Sequence, residues 1–317
     1  MRAALPLRSA ALLCLVALVL TACAGEGEAG EDDGGGAATD GEQTDLLIVA
    51  PIDVYGDLAQ QVVGDTAEVE ALVESPAIDP HSYEATPQDR LLVEEADVVI
   101  VNGGGYDPYM NQLAESAGGD DGVYQILEGE NWHSHEWDGT YENEHIWYDL
   151  VAMSEFVEEF GEHMAELATE NEQVYQENAE TLAAEIEVLH DRAEAIEAGG
   201  LKYFATEPVS QFLLLDAGFE DLTEEEFLAA VEHGDDVSPR LYQESLETVG
   251  PDGEADMLAY NPQTETSQSH QIREAAQDND LPVLEFSETF PDDVDDFLTW
   301  MEQNVSQIEE TAEDLRE

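Results

Sequence analysis

Basic residues are nearly absent from this chain. Lysine and arginine total 8 in 317 residues, against 76 aspartates and glutamates, and the formal net charge is −68. A nucleic-acid partner needs a basic surface to meet its phosphates, so this scarcity excludes one. It also excludes docking onto anionic lipid through side chains. Cysteine is scarcer still: Cys14 and Cys23 are the only two, and both lie near the start. A body without thiols has no disulfide and no thiolate metal site, so any metal it holds must be bound by nitrogen and oxygen. Long apolar runs are missing too. The run from Ala10 to Leu20 is too short to span a bilayer. The acid that is present is spread along the whole chain. It reads as a solvated, halophilic surface, whose self-repulsion counterions would screen in a salty medium.

Arg2 and Arg8 flank the start of that apolar run, and Leu20-Thr21-Ala22-Cys23 ends it. The order resembles a bacterial export signal followed by the lipobox of bacterial lipoproteins. That resemblance implies removal of residues 1–22, lipid on Cys23, and anchoring to the outer face of the cell membrane. A plain cysteine within a cleaved signal is the alternative. Residues 23–45 are rich in Gly, Glu, Asp and Ala and have no aromatic side chain. They cannot bury enough surface to fold, and are expected to form a disordered acidic tether.

Beyond the tether, apolar runs alternate with helical spacing. Strands are expected at 46–50, 68–73, 97–101 and 122–127, with helices at 53–64, 87–95 and 106–117 between them. Two apolar stripes of different phase follow: Met153, Phe156, Phe160 and Met164, then Leu182, Ile186, Leu189 and Ala193. They predict two helices over 150–198, with a break near Thr169-Glu170-Asn171. The alternation then restarts, with strands at 202–205, 219–222, 256–260 and 281–286. Helices are expected at 209–217, 239–249, 267–278 and 292–315. The fold class is therefore α/β, with two lobes (46–149 and 199–317) joined by a long rigid helix. Each lobe is a mostly parallel sheet flanked by helices.

In open α/β sheets, ligands bind beyond the carboxyl ends of the strands. Four polar side chains fall at such ends. His81 lies in the turn Asp79-Pro80-His81 after the second strand. His145 lies in Asn143-Glu144-His145-Ile146-Trp147-Tyr148-Asp149, after the fourth strand and a long loop. Glu207 follows the first strand of the second lobe, and Glu288 its last. Neutral imidazole is a common ligand for transition metals. Two imidazoles with two carboxylates suit zinc or manganese, and less often ferrous iron. Plainer readings exist for each. His81 could be a surface-loop residue, His145 a core imidazole, and Glu207 a helix-capping carboxylate. Glu285, one turn from Glu288, could take its place. His133 and His135, in the loop before His145, form either a metal-capture loop or a polar loop with no role.

These segments resemble the metal-binding lipoproteins that serve ATP-driven (ABC-type) zinc and manganese importers. Asp79-Pro80-His81-Ser82-Tyr83-Glu84-Ala85-Thr86-Pro87-Gln88-Asp89 and Glu144-His145-Ile146-Trp147-Tyr148-Asp149 carry the resemblance most specifically. Thr206-Glu207-Pro208 and Ser287-Glu288-Thr289-Phe290-Pro291 extend it. What it implies is a non-enzymatic receptor, acting as a monomer. It would bind one Zn2+ or Mn2+ through His81, His145, Glu207 and Glu288 and deliver it to a membrane permease. Glutamate at 207, where zinc members typically carry histidine, points toward manganese, and the short histidine loop points weakly back to zinc. A metal-dependent hydrolase and a metal-stabilised surface adhesin are the competing readings. The hydrolase lacks support from a His-Glu-x-x-His helix or a Gly-x-Ser-x-Gly elbow.

Overall fold

The structure, a computed structural model, describes residues 41–118, 122–127, 143–232 and 235–317. The signal segment, Cys23, most of the tether, and the loop with His133 and His135 lie outside the described residues.

Two four-stranded sheets organise the chain. Leu47–Ile52 (β1), Glu68–Val73 (β2), Val98–Gly103 (β3) and Val123–Leu127 (β4) form the first. Lys202–Ala205 (β5), Glu220–Asp221 (β6), Met257–Tyr260 (β7) and Val283–Glu285 (β8) form the second. Their orders are β2-β1-β3-β4 and β6-β5-β7-β8, and every pairing is parallel. The central strands are continuous apolar runs because helices cover both faces, and β3 is buried along its whole length. In each lobe the connections leave the two central strands in opposite directions. This opens a crevice at their carboxyl ends.

The helices are Asp53–Val63 (α1), Pro87–Glu95 (α2), Pro108–Ala117 (α3), Leu150–Leu167 (α4), Glu172–Glu194 (α5), Gln211–Asp216 (α6), Glu225–Glu232 (α7), Pro239–Thr248 (α8), Ser267–Asp278 (α9) and Phe297–Asp314 (α10). Local chemistry sets several starts. Thr86 and Asp89 form a reciprocal capping box ahead of Pro87, and Asp149 Oδ1 accepts from Ala152 N at 3.1 Å. The turn after β3 needs its glycines: Gly103, Gly104 and Gly105 have φ of 84°, 64° and 111°. Asp107 closes that turn by accepting from Asn102 N at 2.7 Å and Gly103 N at 3.0 Å.

The 23-residue α5 is the long helix expected between the lobes. It packs along α4, where Gly161 permits a close approach: a Cβ there would stand 2.6 Å from Ala179 Cβ. One apolar core runs through both lobes, from Ile48 and Tyr55 through Phe156 and Ile186 to Leu213, Met257 and Trp300. Tyr148 sits at the seam, edge-on to Phe286 and Trp300, and donates to Ser287 O at 2.9 Å.

Some boundaries differ from the sequence reading. The closing helix starts at Phe297 rather than 292, because Asp296 caps it by accepting from Thr299 N at 2.8 Å. Helix α6 starts at Gln211 rather than 209. Helix α7 was not expected at all. Its acidic face hides a short buried pair, Phe227 and Leu228, which seals the second lobe beside Phe204.

Candidate metal centre

The four strand-end side chains meet. His81, His145, Glu207 and Glu288 each offer a ligand atom, and these atoms all lie within 4.8 Å of one another. The two imidazole rings stand 5.4 Å apart, centre to centre. His145 and Glu288 are fully buried, Glu207 is nearly so, and His81 is half-buried. Glu285, the alternative to Glu288, is the last residue of β8 and points to solvent.

Each side chain is placed by its own neighbourhood. Asp79 Oδ1 accepts from His81 N at 2.9 Å, which tightens the Asp-Pro turn and presents the ring. His81 Nε2 faces Glu288 Oε2 at 3.3 Å and Glu207 Oε1 at 3.8 Å, while Nδ1 faces Glu144 Oε1 at 3.3 Å. Asn143 holds His145. Its Oδ1 accepts from His145 N at 3.0 Å and lies 2.9 Å from Nδ1. Its Nδ2 donates to Pro208 O at 3.0 Å and Gln211 Oε1 at 3.2 Å, so the amide cannot be flipped without loss. An amide oxygen beside Nδ1 requires the proton there. The Nε2 lone pair is therefore left facing the cluster. His145 Nε2 is buried without a hydrogen-bond partner, whereas His81 Nε2 faces the two carboxylates.

Gln263 ties the loops that carry His81 and Glu288 together across the seam. Its Nε2 donates to Ile78 O at 2.6 Å, ahead of His81, and its Oε1 accepts from Glu288 N at 3.0 Å. Tyr106 OH donates to Glu288 Oε2 at 3.1 Å.

The electrostatics describe a cavity that wants a cation. Burial drives the His145 imidazole down to about 3, so the ring is neutral and able to donate a lone pair. Burial also pushes His81 down, but Glu288, Glu144 and Glu207 overcome it and hold its pKa well above the ordinary value. Burial, then the charge of Glu288, lifts Glu207 to about 7. Glu288 moves the other way: burial, the largest single influence, pushes it up, but His81, His145 and the Asn261 amide together outweigh it and leave it lowered. Two buried carboxylates carry the charge that a divalent ion can neutralise, and such an ion would displace the proton from His81 and free its Nε2 lone pair.

Sequence reasoning did not assign roles to Asn143, Glu144, Tyr106, Asn261, Gln263 or Thr264. Asn143 and Glu144 were visible as neighbours of His145. Asn261 directly follows β7, so the strand-end rule could have found it.

Comparison with known proteins agrees with this fold. The family model described as "Zinc-uptake complex component A periplasmic" matches residues 48–311. The manganese-binding lipoprotein MntA of Halalkalibacterium halodurans is 26% identical over 189 residues, covering 58% of this chain and 59% of that protein. The manganese ABC transporter substrate-binding lipoprotein PsaA of Streptococcus pneumoniae is 26% identical over 221 residues, covering 61% and 66%. The chain thus spans less than two thirds of either relative's length. Among solved structures, the periplasmic zinc binding protein TroA from Treponema pallidum superposes with a TM-score of 0.70 at 16% identity. That match covers 85% of this chain and 99% of that one, and it shows the shared two-lobe fold. With the family model spanning both lobes and all four strand-end side chains, the chain belongs to the zinc-uptake complex component A family.

Proposed function

We propose that this protein is an extracytoplasmic, lipid-anchored receptor that takes up one divalent transition-metal ion, zinc or manganese, in the cleft between its lobes. It then delivers the ion to an ABC-type importer in the membrane. His81 and His145 supply Nε2 from the first lobe, and Glu207 and Glu288 supply carboxylate oxygen from the second. The observation that carries the reading is the convergence of two imidazoles and two buried carboxylates, with the buried His145 Nε2 left without a hydrogen-bond partner. An unpaired buried polar atom is costly unless something fills the position between, and a metal ion does so. Four protein donors also leave little room for a substrate at the ion, which favours a receptor over a hydrolase. The relatives named for manganese binding and ABC transport support this reading.

The test is elemental analysis of metal-loaded, dialysed protein. Wild type is expected to retain about one zinc or manganese per chain, and His81→Ala to retain none. Equal metal content in the two proteins would remove His81 from the site and overturn the assignment.

A further inference from the structure

The two carboxylates of the proposed centre share one neighbour. Asn261 is buried at the carboxyl end of β7. Its Nδ2 donates to Glu207 Oε2 and, at 2.9 Å, to Glu288 Oε1, so each amide hydrogen serves one ligand carboxylate. Its Oδ1 accepts from Gln263 N at 2.9 Å, which fixes the end of the amide that faces the carboxylates. Thr264 Oγ1 donates to the same Glu207 oxygen. The remaining oxygens, Glu207 Oε1 and Glu288 Oε2, are those turned toward His81 Nε2, and Glu288 Oε2 also receives Tyr106 OH. Each carboxylate therefore presents one oxygen to the imidazoles and gives the other to Asn261.

That division bears on which ion fits. Two imidazole nitrogens and one oxygen from each carboxylate make a four-donor set, the number zinc takes with N and O ligands. Manganese favours six donors, mostly oxygen. The same four side chains reach six donors only if both carboxylates turn their outer oxygens inward, away from Asn261. We propose that Asn261 is a positioning and specificity-determining residue: it restrains both carboxylates to one-oxygen donation and so shifts the preference of the site toward four-coordinate ions such as zinc over manganese. This rests on the receptor reading above, and adds to it a determinant of selectivity outside the four ligands.

Cobalt(II) titration of the whole chain tests it, because four-coordinate Co2+ absorbs far more strongly in the visible than six-coordinate Co2+. Wild type is expected to give the intense spectrum. Asn261→Ala is expected to weaken the bands, and to lower the ratio of zinc to manganese affinity about 10- to 100-fold in competition binding. Thr264→Val, which removes one donor from Glu207 alone, is expected to shift both readouts in the same direction by less. If Asn261→Ala does not fold, Thr264→Val decides. An unchanged spectrum and an unchanged affinity ratio in the folded variants overturn the proposal. A weak, six-coordinate spectrum in wild type overturns it too, while leaving the receptor reading standing. A wild type that takes up no Co2+, Zn2+ or Mn2+ overturns the receptor reading and this inference together.

Discussion

Asp53 offers a test of how the lobes are held, separate from the ion site. It opens α1 in the first lobe, and its Oδ2 accepts from Phe290 N of the second lobe at 3.1 Å. Its pKa is raised from 3.8 to about 7, mainly by burial and in lesser part by Glu74, with the backbone bonds from Phe290 and Val54 opposing. The folded state therefore keeps a proton that the unfolded chain releases. Stability from this residue is undiminished below about pH 3.8, falls as pH rises through the window from about 4 to 7, and stays reduced above it. At about 1.4 kcal/mol per pH unit the full cost reaches about 4 kcal/mol, and partial solvent screening reduces it to about 2–3 kcal/mol. Asp53→Asn keeps an acceptor for Phe290 N and removes the titration. The variant is expected to match wild type near pH 4 and to exceed its stability by about 2 kcal/mol at pH 8. Urea unfolding across pH 4–8, at fixed high salt and without metal, measures this. The other acidic residues titrate in both proteins, so the difference isolates Asp53. Parallel stability curves for wild type and variant would refute the reasoning, since the carboxylate would then titrate alike in both states.

Two further outcomes follow from the packing around the site and between the long helices. Asn143→Ala frees the His145 ring to change tautomer, and is expected to weaken zinc or manganese binding about 10- to 100-fold with little change in secondary structure; isothermal titration and circular dichroism check it, and undiminished affinity would remove the role given to Asn143. Gly161→Ala places a methyl 2.6 Å from Ala179 Cβ and 3.2 Å from Tyr175 O, and is expected to cost about 1–3 kcal/mol of stability, read as a lower midpoint in urea.

Much of the fold was readable in order of appearance. The apolar runs of β1, β3, β5 and β7 are long enough, and flanked by turns, to announce buried strands. The stripes of α4 and α5 differ in phase, and that difference, with the break at Thr169-Glu170-Asn171, separated them. Helix α7 was missed because its apolar residues form one unbroken run, Phe227 to Val231, between acidic ends, too short for a helical period to show. At the site, His81 and His145 stood out because their local motifs are distinctive. Glu207 and Glu288 were identified by position at strand ends, and the choice between Glu288 and Glu285 needed coordinates, since the chain reverses its exposure within three residues.

By itself, the sequence determined that this is a thiol-poor, strongly acidic α/β chain with polar groups at its strand ends. Apolar periodicity and turn chemistry are local properties, and strand and helix follow from them. Tertiary structure alone decided that four of those groups converge and that Asn261 bridges two of them, because its partner Glu207 lies 54 residues away. It also decided the protonation of the site. Whether Glu207 is raised and Glu288 lowered depends on which charges burial brings face to face, and no local pattern records that.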